Sequence, residues 1–294
     1  MSKVTLHLVD GTYELFRAYF AVPSQVGAAG QEVGATRGLV QTLLSLLSRP
    51  EVTHIACAFD HVIESFRNEL FAGYKTGEGI PYELASQFEL AERATRALGI
   101  VTWPMIEFEA DDALATAAAR FADDERVERV VICSPDKDLL QCVRGDRVVC
   151  WDRQRDKIYD EAAVIEKLGV PPRLVPDFLG LVGDSADGIP GVPRWGKTSA
   201  ARVLSHCGSL EAIPETVQQL SLPIRGAEAL LSSLNALRSE AALYKRLATL
   251  RVDAPLPESL DDLEHKGSPR ADLTLFLAEI KAESVAERVA RWLG

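Results

Sequence analysis

The sequence predicts an α/β protein with a mostly parallel sheet flanked by helices, and two observations support this fold class. Short β-rich runs at residues 4–9, 53–59 and 130–133 are separated by segments in which apolar residues recur at helical spacing. Strands that alternate with helices are typical of parallel sheets built from βαβ units. From residue 208 onward the pattern is helical, which indicates a second, mainly helical region.

Each predicted strand is a short apolar run that ends at a turn signal, as at Asp10-Gly11. An Ala-rich helix is expected directly after the acidic run at residues 109–112. The predicted helical segments are 15–19, 38–47, 113–121, 227–250 and two more within 273–293, with a break at 251–257.

Composition limits the possible functions. The chain has 294 residues, 47% hydrophobic and 26% charged, as expected for a globular protein. Its formal net charge of −11 provides no general attraction for nucleic acid, so DNA binding must depend on local cations or bound metal ions. Five cysteines without a Cys-x-x-Cys pair indicate reduced thiols, and no apolar run reaches the roughly 20 residues of a membrane span. We therefore expect a cytoplasmic protein without a signal peptide or membrane contact.

Aspartates follow all three predicted strands. Asp10 and Asp60 come directly after the first two, and Asp136 and Asp138 follow the third. In open α/β sheets the ligand site lies beyond the carboxyl ends of the strands, so these side chains are expected to converge at one edge. Glu109, Asp111 and Asp112 precede a helix; capping of that helix is the simpler interpretation, but they are also able to join the cluster.

A cluster of carboxylates needs compensating positive charge. Two carboxylates about 4 Å apart repel by about 4 kcal/mol at an effective dielectric constant of 20. The five histidines are scattered and none has metal-ligand spacing. Oxygen ligands without histidine or cysteine favour Mg²⁺ or Mn²⁺ over zinc.

Two further aspartates, Asp184 and Asp187, precede a turn that opens a short helix with lysine and arginine residues. Backbone amides, lysine and arginine at such a helix start are suited to bind phosphate. Residues 191–198 also match the P-loop pattern G-x-x-x-x-G-K-[ST]. We disfavour nucleotide binding because no strand precedes the loop, Pro193 lacks an amide hydrogen, and Trp195 is bulky.

The ordered motifs resemble those of the 5′-3′ exonucleases and flap endonucleases, a family typified by the N-terminal nuclease domain of bacterial DNA polymerase I. The resemblance covers residues 4 to about 257. The matching motifs are Val9-Asp10-Gly11, Phe16-Arg17-Ala18-Tyr19, Phe59-Asp60, Ser65-Phe66-Arg67, Tyr74-Lys75, Glu109-Ala110-Asp111-Asp112, Asp136-Lys137-Asp138, and Gly183-Asp184-Ser185-Ala186-Asp187 with its continuation to Val192.

The resemblance implies a PIN-like nuclease domain at residues 1–171 and a helical region at 172–294 that contains a helix-three-turn-helix element. It implies two or more Mg²⁺ ions, replaceable by Mn²⁺, and a K⁺ ion at the helix-three-turn-helix. The implied metal ligands are Asp10, Asp60, Glu109, Asp111, Asp112, Asp136, Asp138, Asp184 and Asp187. By the same resemblance Lys75 and Arg67 contact the scissile phosphate and Tyr74 stacks on a base. The implied DNA-binding residues are Arg17, Gly191, Val192, Arg194, Gly196, Lys197, Thr198 and Arg202.

Two departures from the family pattern stand out. The family has a basic residue soon after Tyr-Lys, whereas this chain continues with Gly77-Glu78, and residues 76–92 contain four glutamates but no lysine or arginine. In the family a basic arch at this position guides single-stranded 5′ ends, and the acidic stretch disfavours such threading of a flap. In the hairpin, Arg194 replaces the first glycine of Gly-x-Gly and the lysine is shifted to Lys197.

The sequence thus predicts a stand-alone, monomeric, metal-dependent 5′-3′ exonuclease or structure-specific 5′ flap endonuclease. Its expected substrates are DNA ends, nicks or flaps in replication or repair, with a separate DNA polymerase as a partner. The alternative is a DNA-junction-binding protein of the same fold with little catalysis, suggested by the acidic 76–92 stretch and the altered hairpin. A P-loop NTPase is the third interpretation.

Overall fold

The structure, a computed structural model, describes residues 3–293 and divides into two compact units. The first unit contains residues 3–63, 77–134 and 252–293, and the second contains residues 64–76 and 135–251. The strands are β1 (Val4–Asp10), β2 (His54–Asp60), β3 (Val101–Met105), β4 (Val127–Cys133), β5 (Val148–Asp152), β6 (Lys157–Tyr159), β7 (Ser268–Pro269) and β8 (Trp292–Leu293). The helices are α1 (Gly11–Ala21), α2 (Gly34–Leu47), α3 (Phe66–Leu70), α4 (Tyr82–Ala85), α5 (Phe88–Ala97), α6 (Ala110–Phe121), α7 (Glu161–Leu168), α8 (Val175–Val182), α9 (Lys197–Cys207), α10 (Val217–Leu220), α11 (Ala227–Ala236), α12 (Arg238–Ala248) and α13 (Arg270–Glu279).

The first unit is built on parallel strands in the order β3-β2-β1-β4. The central strands are buried on both faces, which accounts for their continuous apolar sequences. Helix α6 packs against these strands, and α1 packs against α2. The mostly parallel sheet flanked by helices predicted from the sequence is confirmed.

Strand β3 was not predicted from the sequence, and its composition explains why. Pro104 lies within the strand, and a proline lacks the amide hydrogen that other residues donate to a neighbouring strand. β3 lies at the end of the strand order and pairs with β2, so the proline is tolerated there.

The second unit is mainly helical and includes the antiparallel pair β5–β6. Helices α8 and α12 pack closely, since a Cβ at Gly180 would lie 2.9 Å from the backbone nitrogen of Lys245. Nζ of the same lysine lies 2.8 Å from the buried carboxylate of Asp177 and 2.9 Å from the exposed carboxylate of Glu211. The helical packing around α8 is therefore fixed by both shape and charge.

The prediction for the end of the chain is partly wrong. Helix α13 confirms the first predicted segment within residues 273–293. The second predicted segment is instead a 3₁₀ turn at Glu283–Arg288 followed by strand β8. The pairing of β8 with β7 overrides the local apolar spacing. The predicted helix at 227–250 is two helices, α11 and α12, that meet at Leu237.

Among the described residues, no helix has both the length and the apolar character needed to cross a bilayer. The proposed domain boundary at 171/172 remains a prediction, since the compact units follow a different division in which residues 252–293 belong with the first unit.

Gln87, between α4 and α5, ties this segment to α2 through Thr36. The Gln87 side chain is fully buried. Its Oε1 accepts hydrogen bonds from the backbone nitrogen of Thr36 at 2.9 Å and from the Thr36 hydroxyl at 3.0 Å. Its Nε2 donates to the carbonyl of Glu83 at 2.8 Å. We expect Gln87→Ala to lower the free energy of unfolding by about 2 kcal/mol, because the buried Thr36 amide loses its acceptor.

Urea denaturation measures this loss, and Gln218→Ala on the exposed face of α10 serves as the control, expected to stay within about 0.5 kcal/mol of the parent protein. Equal stabilities for the two variants would show that Gln87 does not anchor the segment.

Candidate metal centre and nucleic-acid interface

In the first unit, acidic side chains follow the carboxyl ends of β1 and β2. Asp10 caps α1 by accepting a hydrogen bond from the backbone nitrogen of Tyr13 at 2.8 Å, and its other oxygen accepts from the hydroxyl of Ser134, also at 2.8 Å. Asp60 accepts a 2.7 Å hydrogen bond from the backbone nitrogen of Ala110 at the start of α6. This hydrogen bond joins the start of α6 to the end of β2.

The run at residues 109–112 has the capping role that was its simpler interpretation. The backbone nitrogen of Glu109 donates to Oδ2 of Asp112 at 3.0 Å, and both side chains take part in a capping box. Both residues are buried, whereas Asp111 is partly exposed. Capping does not prevent these carboxylates from binding another group, since each carboxylate has more than one acceptor site.

A second acidic cluster lies within the second unit. Oxygens of Asp138, Asp184 and Asp187 lie within 4.8 Å of one another, and this is the group with metal-ligand geometry among the described residues. The exposed Asp136 supports it by accepting a 2.8 Å hydrogen bond from the backbone nitrogen of Asp138. Asp184 is held by paired backbone hydrogen bonds with Ile189, at 2.8 and 2.7 Å.

The electrostatics of this cluster fit a cation. Burial, reinforced by Asp136, Asp187 and Asp184, raises the pKa of the Asp138 carboxyl well above its usual range. Burial also raises the pKa of Asp187, although Lys75 opposes the shift. Oδ1 of Asp138 is buried and has no hydrogen-bond partner among residues 3–293. Clustered carboxylate oxygens with an uncommitted buried acceptor are the donor set that a hard divalent cation prefers.

Two lysines accompany the cluster. Nζ of Lys75 lies 3.1 Å from Oδ1 of Asp187, and the backbone nitrogen of Lys75 donates to the carbonyl of Asp187 at 3.0 Å. Lys137 forms an ion pair with Asp184. The sequence pointed to Lys75, but Lys137 was missed as a site residue, although its position between two aspartates was the available signal.

The structure does not present Arg67 or Tyr74 in the way the resemblance implied. Arg67 is 1% exposed, and its guanidinium donates to the backbone carbonyls of Leu247 (2.8 Å) and Thr249 (3.2 Å). Tyr74 is 4% exposed, so in this arrangement its ring is packed rather than available to a base. Arg67 therefore bonds to other residues of the second unit, and the Tyr74 ring is buried.

The helix-three-turn-helix region lies between α8 and α9. The turn depends on Gly183 and Gly191, both with φ in the left-handed region, and the backbone nitrogen of Val192 donates to Leu181 at 2.8 Å. Trp195 is buried and donates from Nε1 to the carbonyl of Leu230 at 3.0 Å. Helix α8, not a strand, precedes this loop, as expected if it is not a P-loop.

The predicted DNA-binding residues of the hairpin separate into two groups. Gly191 and Val192 are buried and shape the turn, whereas the polar members are exposed. The exposed members are Arg194, Gly196, Lys197, Thr198 and Arg202. Arg194 has φ of 74°, a backbone conformation that favours glycine.

Arg17 lies in the first unit, on α1. Its guanidinium donates to Glu14, with Nε 2.9 Å from Oε2, and to the hydroxyl of Thr42 at 3.0 Å. The side chain is partly exposed.

Comparison with known families agrees with this arrangement. The family model described as "5′-3′ exonuclease, N-terminal resolvase-like domain" matches residues 5–169, and that described as "5′-3′ exonuclease, C-terminal SAM fold" matches residues 170–271. The chain is 35% identical over 293 residues to DNA polymerase I of Bacillus caldotenax, covering 98% of this chain and 32% of the relative. It is 37% identical over 286 residues to DNA polymerase I of Pseudomonas aeruginosa, covering 94% and 30%.

The fold is similar to that of the bacteriophage T5 flap endonuclease, solved as a pseudo-enzyme-product complex with DNA and metal ions. The TM-score is 0.66 with 21% identity, over 83% of this chain and 88% of that chain. The chain spans about a third of the length of the curated relatives that it matches.

Gly188 positions the Lys75 segment against the acidic cluster. A Cβ at Gly188 would lie 2.2 Å from the carbonyl oxygen of Gly73, and its φ of 73° is in the left-handed region. We expect Gly188→Ala to lower the free energy of unfolding by about 3 kcal/mol, through backbone strain and the displacement of residues 73–75.

Gly196→Ala is the matched control, because a Cβ at that position would have no atom of residues 3–293 within 4 Å apart from its chain neighbours. As Gly196 precedes the first residue of α9, its replacement is expected to lower stability by less than about 1 kcal/mol in the same urea titration. Similar losses for both variants would contradict the close approach at Gly188.

Proposed function

The chain belongs to the 5′-3′ exonuclease family, and from this premise we propose that it is a metal-dependent nuclease acting on DNA with 5′ ends, nicks or flaps. The observation that carries the proposal is the cluster of Asp138, Asp184 and Asp187, whose oxygens lie within 4.8 Å of one another. The acid at the end of each of β1 and β2 adds a second set of oxygen ligands in the first unit.

We assign the nine predicted carboxylates to divalent cations, with Mg²⁺ as the physiological ion and Mn²⁺ as a substitute. When bound, two such cations supply activation of a water nucleophile and stabilise the attacking and leaving oxygens of an in-line displacement. The second-unit ligands are Asp136, Asp138, Asp184 and Asp187, and the first-unit ligands are Asp10, Asp60, Glu109, Asp111 and Asp112. Backbone hydrogen bonds to Asp10, Asp60 and Asp136 restrict the rotation of these carboxylates and so support their positions as ligands.

Lys75 is proposed to contact the scissile phosphate and offset its negative charge. Its ammonium is partly exposed and already lies beside the metal-ligating Asp187. Arg67 is assigned a positioning role in place of the phosphate contact, since its donors bind the carbonyls of Leu247 and Thr249. Tyr74 is 4% exposed and is assigned a packing role in place of base stacking.

The exposed hairpin residues, together with Arg17, are proposed to bind the sugar-phosphate backbone. Arg194, Lys197 and Arg202 supply local positive charge on a chain whose net charge is −11. The backbone amides at the start of α9 add neutral donors for a phosphate. A K⁺ ion at this hairpin remains a prediction of the family resemblance.

The cellular setting is part of the proposal. The relatives matched over most of this chain are bacterial proteins named DNA polymerase I, so the proposed activity belongs to replication or repair in the cytoplasm. A separate DNA polymerase is the proposed partner, and the protein is proposed to act as a monomer with domains at 1–171 and 172–294.

A DNA-junction-binding protein with weak catalysis is the second candidate. The specific observation in its favour is the absence of lysine and arginine from residues 76–92, where exposed Glu78 and Glu83 oppose a single-stranded 5′ tail. The complete set of carboxylates argues against it, because a protein that only binds DNA gains nothing from clustered negative charge.

The metal assignment predicts that Asp138→Asn lowers Mg²⁺-dependent digestion of a nicked duplex by at least about a hundredfold, because a buried ligand oxygen is lost. Fluorescence anisotropy should still detect DNA binding. Asp146→Asn, an exposed acid of the same unit, is the control and should digest at the parent rate. A parental rate in Asp138→Asn would exclude Asp138 as a metal ligand.

The hairpin assignment predicts opposite effects of Arg194→Gly on folding and binding. Glycine adopts the left-handed backbone conformation of residue 194 without steric strain, so the substitution should raise the free energy of unfolding by about 1 kcal/mol. Loss of one phosphate contact should weaken DNA binding and reduce the slope of log K against log salt by about 1. Arg225→Gln is the exposed control; an unchanged salt slope in Arg194→Gly would exclude a phosphate contact there.

A further inference from the structure

Lys137 lies between two metal-ligand candidates in sequence and contacts a third in space. Its neighbours are Asp136 and Asp138, and its ammonium forms an ion pair with Asp184. The Asp184 side chain is 5% exposed, while that of Lys137 is 36% exposed. A buried carboxylate is thus paired with a cation whose aliphatic stem reaches it from the surface.

The oxygens of the cluster differ in how they are already used. Oδ1 of Asp184 accepts from the backbone nitrogen of Ala186 at 3.1 Å, and Oδ2 contacts Lys137. Oδ1 of Asp187 lies 3.1 Å from Lys75. Buried Oδ1 of Asp138 has no hydrogen-bond partner in the described part of the chain. A divalent cation that binds Asp184 through Oδ2 must therefore displace Lys137 or share that oxygen with it.

We propose that Lys137 is an internal counter-ion that competes with a divalent cation for Asp184 and thereby sets the metal affinity of the second-unit cluster. The proposal rests on the proposed function, since it concerns the same carboxylates. Lys137 neutralises part of the charge of four clustered aspartates and holds Asp184 in its ligand position. When a divalent cation binds, the ammonium leaves Asp184 and turns to solvent.

Lys137 is better suited to be displaced than Lys75. The Lys75 side chain is 27% exposed and is already assigned to the scissile phosphate, whereas the Lys137 side chain is 36% exposed and has more access to solvent. Lys137 contacts Asp184 through its side chain, whose flexible four-carbon stem allows the ammonium to leave without movement of the backbone. Displacement therefore affects one ion pair and leaves the ligands in place.

The test is a titration of the metal-free full chain with Mn²⁺ in the absence of DNA. The electron paramagnetic resonance signal of free Mn²⁺ measures how much of the ion is bound. Lys137→Met removes the competing charge and should tighten binding by about fivefold, the effect of one partly exposed ion pair. Lys137→Arg keeps the charge and should stay within about twofold of the parent protein. Lys167→Met, which loses a contact with the Tyr159 ring in the same unit, is the matched control and should bind as the parent does.

Thermal unfolding gives a second readout. In EDTA, Lys137→Met should melt below the parent protein, because the clustered carboxylates lose a counter-ion, and saturating Mn²⁺ should remove the difference. Lys137→Gln is the second variant if the methionine variant does not fold. Unchanged or weaker Mn²⁺ binding in a folded variant without the charge would overturn the role of Lys137.

Asp138→Asn separates this inference from the proposed function. If that variant loses one bound Mn²⁺ while Lys137→Met binds like the parent, the metal centre stands and the competition by Lys137 is excluded. If Asp138→Asn binds as much Mn²⁺ as the parent protein, the metal centre itself is excluded, and the inference fails with it.

Discussion

Compensation of charge among crowded carboxylates is the constraint on which the candidate site depends. Asp138, Asp184 and Asp187 offer oxygens within 4.8 Å of one another, and two charges about 4 Å apart repel by about 4 kcal/mol at an effective dielectric constant of 20. Burial strengthens this effect and raises the pKa of Asp138 well above its usual range. The fold tolerates the arrangement through two lysines and through backbone donors to the carboxylates. A divalent cation bound to the three aspartates would neutralise their remaining negative charge.

The backbone supplies the accuracy that such a site needs. Each acid at the end of a strand also accepts from a main-chain nitrogen, as Asp10 does from Tyr13 and Asp60 from Ala110. In the second unit, Gly188 has no side chain to obstruct residue 73, so Lys75 can pair with Asp187. Capping and metal binding are therefore compatible roles for one carboxylate, because it has two oxygens and several acceptor directions.

Much of this was predictable from the sequence, for physical reasons that differ between elements. The strands before Asp10 and Asp60 are buried on both faces and read as apolar runs that end in acid. β3 was not predicted because it contains Pro104, which is untypical of a strand. The end of the chain was predicted as helix because its apolar spacing does not reveal the pairing of β7 with β8. Sequence motifs identified Arg67 but not its burial, since its partners, Leu247 and Thr249, lie about 180 residues away along the chain. Lys137 was overlooked because its role depends on a contact with Asp184 that sequence proximity does not reveal.

The most direct test of the nuclease assignment uses a 5′-flap duplex labelled on the flap strand, incubated with the purified protein in Mg²⁺, Mn²⁺ or EDTA. The account predicts release of short 5′-labelled products in either metal and none in EDTA, because the carboxylates act through bound cations. Comparison of short and long flaps then shows how far the acidic stretch at residues 76–92 limits a single-stranded tail. Binding of the duplex without cleavage in either metal would contradict the account and favour the DNA-junction-binding alternative.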